Sequence, residues 1–348
     1  MSRLILSEEA GDFASLCDTA LFAQAYLELL IVTWPDGIGL APDAMRREIH
    51  QHGKWAIRQE SGELQLGFEH LLPGTIQRID PIPGEDTLKN WTSIMPEGIH
   101  IGVLVSSRGT KLQAVIDACE TGLINGRVVF VCSDNPDAYA LARASQHGIP
   151  SFVVDYAEIR QRFRREPQAI QLPADCDFEH IMTCQRVFDA SPETLVFRLK
   201  TRVMAEEQML RQMAPHPLDL LVLAGFVRKL SPYFIEKINY GSAIPRIMNL
   251  HPTLCPAFPG IDGYGQTLHH GCKVAGCTVH FVDYGVDTGP IIDQDVFKIE
   301  PDDTIASVKQ KGIRLECSLY PKCIALFAEN RLRLRESETG RIVVDILN

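Results

Sequence analysis

After residue 98 the chain alternates short apolar runs with longer stretches whose apolar residues recur at helical spacing. "HIGVLVSS" predicts a strand, "RGTKLQAVIDACETGLI" a helix, "RVVFVCSD" a strand, "PDAYALARASQHG" a helix stopped by a glycine, and "PSFVVD" a strand. Strands alternating with helices imply parallel βαβ units joined by right-handed crossovers. A long polar stretch follows, from 156 to about 217, with helical segments such as "RLKTRVMAEEQMLRQM". The pattern resumes with "LDLLVLAGF", "RKLSPYFIEKIN", "AIPRIMNLHP", "AGCTVHFVDYGVDTGPIIDQDVFKI" and a last helix, "TIASVKQKGIRLECSLYPKCIALFAEN". The later strands are expected to pair partly antiparallel. The fold class is therefore α/β, an open, mostly parallel, Rossmann-like sheet whose nucleotide-binding-type portion runs from 99 to about 240.

Residues 7–31 have a helical pattern, and "GKWAIRQESGELQLGFEHL" predicts two short strands around a Glu-Ser-Gly turn. The stretch 79–98, rich in proline, glycine and polar residues, predicts a linker. The expected organisation is a small extra α+β unit over 1–97 and a main domain over 98–348 that carries an insertion at about 157–217. Hydrophobic residues at 45% and charged residues at 22% fit an ordinary globular protein, and a net charge of −10 argues against a surface that coats nucleic acid. No signal peptide is predicted, and "LFAQAYLELLIVTW", with Gln24 and Glu28, is too short and polar to span a bilayer. The expectation is a cytoplasmic protein with no membrane partner. The ten cysteines include no CxxC pair, which suits reduced thiols; Cys176, His180 and Cys184 match no standard zinc spacing, so no metal is expected.

Three stretches carry candidate chemistry. In "MNLHPTLCPAFPG", an apolar strand ends in Asn249 and His251, which project to one side of an extended chain before a proline-stiffened loop. One offers an amide donor and the other a group that titrates near neutrality. In "VLVSSRGTKLQAVID", Gly109 sits at a strand-to-helix turn beside Arg108 and Lys111. Backbone N–H groups there can cradle an anion, though a plain tight turn would read the same. In "VHFVDYGVDTGPII", His280 and Asp287 flank a turn around Gly285; Asp287 could move protons or merely hold its own turn.

Together, "SRGTKLQAVIDA", "VCSDNPDAYALARASQHGIP", "LVLAGFVRKLSP", "MNLHPTLCPAFPG", "GCTVHFVDYGVDTGPII" and "LECSLYP" resemble, in order, the phosphoribosylglycinamide formyltransferases, over roughly residues 98–335. The resemblance implies the formyltransferase fold and transfer of a formyl group from the co-substrate 10-formyltetrahydrofolate to the amine of glycinamide ribonucleotide in purine biosynthesis, without a metal. It implies Asn249, His251 and Asp287 as the catalytic trio and Gly109, Thr110, Lys111 and Glu316 as substrate-binding residues. Val227, Arg228, Lys229 and Leu230, with Asp283, Tyr284, Gly285 and Val286, fall along the folate pocket. The implied partners are two small molecules; a homodimer is left open. The chain departs from the family at Ser107 and Lys111, where a glycine and an asparagine are usual, and in the long 157–217 stretch and the N-terminal unit. The sister activities are N-formylation of another small amine and hydrolysis of the folate donor. "NLHP" in place of the hydrolases' paired histidines, and no βαββαβ order in the N-terminal unit, favour a transferase.

Overall fold

The apolar runs predicted as strands are buried on both faces, as expected where helices cover a parallel sheet on each side. The computed structural model describes Trp55–Glu60, Glu63–Phe68 and residues 98–347. The helical pattern over 7–31 and most of the 79–98 linker lie outside the described residues. The chain divides into two units, Met1–Glu97 and Gly98–Asn348. In the first, β1 (Trp55–Glu60) pairs antiparallel with β2 (Glu63–Phe68), Trp55 opposite Phe68 and Glu60 opposite Glu63, so the predicted two-strand pair forms.

In the second unit a seven-stranded sheet is built from β3 (Ile99–Val105), β4 (Gly126–Ser133), β5 (Ser151–Val153), β6 (Leu220–Leu223), β7 (Ile247–His251), β8 (Val274–Phe281) and β9 (Ile291–Lys298). Their spatial order is β5-β4-β3-β6-β7-β8-β9. The first five pair parallel; β8 is antiparallel to both β7 and β9, as the sequence pattern predicts. The mixed sheet thus runs on well past residue 240.

Alternation along the strands separates two cores. Val103, Val105, Leu220 and Val222 face one, with helices α1 (Thr110–Glu120) and α8 (Ile305–Ala328) over it. Leu104, Leu221 and Leu223 face the other, which α5 (Pro192–Met213) fills with Ala205, Met209 and Met213 and α6 (Pro232–Asn239) with Phe234, Ile235 and Ile238. The polar stretch after β5 therefore supplies, in α5, a covering layer of the sheet. It also holds α3 (Tyr156–Arg165) and α4 (Phe178–Cys184), each started by an aspartate, Asp155 or Asp177, whose carboxylate accepts from free N–H groups of the first turn. Helix α2 (Tyr139–Gln146) links β4 to β5. The sequence pattern does not predict α7 (Gly263–His269) or the antiparallel pair β10 (Leu332–Glu336) and β11 (Ile342–Ile346).

The chain runs outward from β3 to β5 and then returns to lay β6 against β3. That reversal opens a crevice at the carboxyl ends of β3 and β6, where open α/β sheets bind ligands. Two contacts bridge it: the Ala224 N–H donates to the Leu104 carbonyl at 2.9 Å, and the Val227 N–H to Ser106 Oγ at 2.9 Å. Tyr320, wholly buried in α8, donates its hydroxyl to the Met248 carbonyl at 2.8 Å and the Leu223 carbonyl at 3.2 Å, bracing the ends of β7 and β6.

Candidate active site

The carboxyl end of β7 supplies Asn249 and His251, and β8 lies beside it with His280 directly opposite Asn249. Beyond β8 the chain turns, and Asp287 reaches back. Its backbone is left-handed, φ 55°, a conformation that an aspartate adopts more readily than most residues. The Asp287 carboxylate lies 3.2 Å from His251 Nδ1, 3.7 Å from His280 Nε2 and 3.5 Å from Asn249 Nδ2, and accepts the Gly260 N–H at 2.8 Å. The predicted trio is thus gathered at one place, with His280 as a fourth member.

His251 is only 4% exposed, and both its nitrogens face acceptors: Asp287 at Nδ1 and the Phe258 carbonyl, 3.0 Å away, at Nε2. Only the doubly protonated ring satisfies both. His280 differs. Its Nδ1 donates to the Phe281 carbonyl at 2.8 Å, which leaves Nε2 to accept from Asn249 at 3.2 Å. Burial alone would push the Asp287 carboxyl up. The His251 charge and the Gly260 N–H outweigh it, and the group sits below its ordinary 3.8. Asp287 is thereby held as a carboxylate.

A neighbouring aspartate answers the question of turn stabilisation. Asp283 Oδ1 accepts from the Gly285 N–H at 3.0 Å and from Thr288 Oγ1 at 2.7 Å. Asp283 ties the turn, and Asp287 turns inward. The proline loop after His251 is pinned in the same way by residues the sequence reading missed. Thr278 Oγ1 accepts from the Cys255 N–H at 2.9 Å and donates to the Thr253 carbonyl at 2.7 Å, and Gln294 Nε2 donates to the Cys255 carbonyl at 3.0 Å. A period-two reading of β8 and β9 places both as strand residues, but no local signal says that they hold a loop.

At the end of β3, Gly109 has φ 71° and precedes α1 as its N-cap. A Cβ there would also lie 2.7 Å from the Ala140 Cβ, so glycine is required twice over. Thr110 opens the helix and is exposed. Lys111 is not left facing the turn: its ammonium lies 2.9 Å from Glu316, a carboxylate 2% exposed on α8. Tyr264, also missed from sequence, donates to the other Glu316 oxygen at 2.8 Å. Lys111 and Glu316, each expected to bind substrate, therefore meet directly.

A cavity of about 680 Å³ is lined by Lys229 and by Asp283, Tyr284, Gly285 and Val286, which brings those five expected residues together. Gly260, on the same wall, is the donor to Asp287, so one residue of the wall is hydrogen-bonded to the trio. Cys184 and Arg186, from α4 and the turn after it, complete part of the rim; neither is marked by any local pattern. Val227, Arg228 and Leu230 are not in the lining. Val227 is 72% exposed, Leu230 is buried in the core, and Arg228 forms an ion pair with buried Asp134. Among the described residues no set of three or more His, Cys, Asp or Glu side chains could hold a metal ion, and no helix is long and apolar enough to cross a membrane.

An open α/β sheet that gathers an amide, two imidazoles and a held carboxylate at its strand ends defines a class: proteins equipped to bind a developing oxyanion and to move a proton. Residues 99–324 match the model of the formyl transferase family, and the chain belongs to that family. It is 32% identical over 237 residues to the phosphoribosylglycinamide formyltransferase of Haemophilus influenzae, spanning 68% of this chain and 91% of that protein. It is 28% identical over 302 residues to the bovine (Bos taurus) trifunctional purine biosynthetic protein adenosine-3, spanning 85% of this chain but only 25% of that protein's length. Among solved structures, glycinamide ribonucleotide transformylase 1 from Symbiobacterium toebii superposes with a TM-score of 0.55 at 35% identity, over 73% of this chain and 96% of that one.

Proposed function

We propose that this chain is a phosphoribosylglycinamide formyltransferase: it transfers the formyl group of 10-formyltetrahydrofolate to the amine of glycinamide ribonucleotide in purine biosynthesis. The observation that carries the reading is the convergence of Asn249, His251 and Asp287 beside the cavity wall. Attack by an amine on a formyl carbon develops an oxyanion and releases a proton. Asn249 Nδ2 has one N–H committed to His280 at 3.2 Å and another held weakly by Asp287 at 3.5 Å; the weaker contact is the one that yields to an oxyanion. His251, charged and paired with Asp287, redirects the Nε2–H it gives to the Phe258 carbonyl. One such donor is worth roughly 3–4 kcal/mol in the transition state. Asp287, the acceptor in the set, takes the amine's proton through water and returns it to the leaving folate nitrogen.

The cavity suits the donor molecule. Tyr284, Val286 and Pro259 offer apolar surface for a ring system, and Arg186 and Lys229 place two cations at its rim for an acidic tail. Gly109, Thr110 and Lys111 hold the acceptor's phosphate, and Glu316 its amine end. Residues 98–348 form the catalytic domain. One observation favours a second reading, an N-formyltransferase for a small amine without phosphate: the Lys111 charge is already balanced by Glu316.

The test is turnover of 10-formyltetrahydrofolate by the purified chain, followed by absorbance, with and without glycinamide ribonucleotide. Turnover that depends on this acceptor is expected. Turnover without any acceptor would indicate a hydrolase, and turnover only with another amine would establish the second reading.

A further inference from the structure

The chain that leaves α4 is bonded to two walls of the 680 Å³ cavity at once. The Arg186 N–H donates to the Tyr284 carbonyl at 2.9 Å, and Lys229 Nζ donates to the Val187 carbonyl at 2.9 Å. Tyr284 lies in the turn that carries Asp287, Lys229 in the loop after β6, and both line the cavity with Arg186. Two successive residues of the long 157–217 stretch thus strap the walls together. The strap is shaped from within: Gln185 Oε1 accepts the N–H groups of Val187, at 3.2 Å, and Phe188, at 3.0 Å.

Glu236 on α6 joins the strap to the wall a second time. Its Oε1 accepts the Tyr284 hydroxyl at 2.7 Å and lies 2.8 Å from Nε2 of His180 on α4. His180 and Glu236 are 45% and 41% exposed, and such a pair by itself contributes little. The Tyr284 bond is different in kind, because a carboxylate acceptor makes it charge-assisted and because it fixes a ring that lines the cavity. With the hydroxyl held at the far end of the ring, a change of χ1 breaks that bond. Burial and then the Glu236 bond push the Tyr284 phenol above its ordinary 10, so it remains a donor at neutral pH. Glu236 is not in the cavity lining and reaches the ligand only through Tyr284.

We propose that Glu236 is a positioning residue for the cavity's ligand: through the Tyr284 ring and the strap at 184–187 it holds the cavity at the width that the ligand needs. That this ligand is the folate donor rests on the function proposed above; the hold on Tyr284 and the strap does not.

The test is steady-state kinetics of the full chain with 10-formyltetrahydrofolate and glycinamide ribonucleotide, together with hydrogen exchange of the peptide that contains Arg186. Tyr284→Phe keeps the ring and removes the hydroxyl, Glu236→Ala removes the acceptor, and Glu236→Gln retains an oxygen that can accept. The KM for the folate donor should rise roughly three- to tenfold in Tyr284→Phe and in Glu236→Ala, the range that one hydrogen bond supports. The double variant should be no worse than either single one, since both remove the same bond. In Glu236→Ala, kcat and the acceptor KM should stay within about twofold of wild type, and Glu236→Gln should recover most of the donor KM. The Arg186 peptide should exchange faster in Tyr284→Phe and Glu236→Ala, as the strap loosens. An unchanged donor KM in Glu236→Ala, single effects that multiply in the double variant, or a fall in kcat as large as the rise in KM would overturn the positioning role. If the wild-type chain transfers no formyl group, the proposed function fails, and exchange alone decides the hold: an unchanged Arg186 peptide in both variants would overturn it.

Discussion

The loops that follow β3 and β7 lie at the carboxyl ends of one sheet, yet they are made differently. The β3 loop works through its backbone: Gly109 adopts a conformation that side chains resist, and the charge beside it, Lys111, is balanced by buried Glu316 from α8. The β7 loop works through side chains. Asn249, His251, His280 and Asp287 aim at one another, and the surrounding contacts hold Asp287 ionised. The first loop is a shaped receptor whose lysine charge is already paired; the second stores separated charge next to a cavity. Receptor and reactor are thus separable, and substitutions should affect binding in one and the chemical step in the other.

The largest effect belongs to the reactor. Asp287→Asn keeps the shape and removes the charge that pairs His251. Turnover should fall by about 10²- to 10⁴-fold, with the folate donor still bound. Near-wild-type turnover would make Asp287 a loop residue and dissolve the contrast. The same substitution has a pH signature. Because the Asp287 carboxyl in the folded chain lies below its ordinary 3.8, its pairing contributes stability above about pH 4, and that stability is lost as pH falls through the folded value. Acid unfolding followed by circular dichroism should show a shallower loss of stability in Asp287→Asn than in wild type.

How much of this was legible from residues alone differs between the two loops. Asn249 and His251 share a face because a strand has period two, and a proline after His251 marks the strand's end, so the pair could be read locally. The mixed sheet was also legible, since unbroken apolar runs such as Leu220–Leu223 differ from the more polar "DQDVFK". The choice between Asp283 and Asp287 was not: both lie in one turn, and only the backbone direction assigns one to the turn and the other to the histidines. The Lys111–Glu316 pair joins residues in two distant helices, and neither local sequence carries a sign of the other. The pair β10 and β11 was missed for a simpler reason. "RLRLRESETGRIVVDI" carries so much charge that it reads as a solvated tail, although its apolar positions alternate correctly.

Lys111 tests the receptor, with an effect of intermediate size. Lys111→Ala should lower kcat/KM for glycinamide ribonucleotide roughly 10- to 150-fold, the worth of a charge-assisted contact of about 1.5–3 kcal/mol. It also strands the buried Glu316 carboxylate with Tyr264 alone, and breaking such a pair costs about 3 kcal/mol of stability. The two losses can be separated. Lys111→Met with Glu316→Gln removes both charges at similar volume, so thermal stability should largely recover while acceptor kcat/KM stays low. Recovery of both would mean that Lys111 supports the fold and touches no substrate.

Asp283 should give the smallest effect, and for that reason it is the sharpest control on the reactor. It lies four residues from Asp287 in the same turn and lines the cavity next to the trio, so any argument from proximity alone predicts similar importance for the two. The contacts say otherwise. Asp283 accepts from the Gly285 N–H and the Thr288 hydroxyl and from neither histidine of the site. Asp283→Ala removes two hydrogen bonds within the turn, each worth about 0.5–1.5 kcal/mol. The loop loosens, and Asp287, held in a left-handed conformation, is presented less firmly. The expected result is a loss of roughly 1–2 kcal/mol in stability with less than tenfold loss in turnover, since the charge on Asp287 and its partners remain. Thermal unfolding and steady-state kinetics on Asp283→Ala and Asp287→Asn together decide the matter. Equal losses of turnover in the two variants would place the chemistry in the turn as a whole; a gap of at least tenfold places it on Asp287.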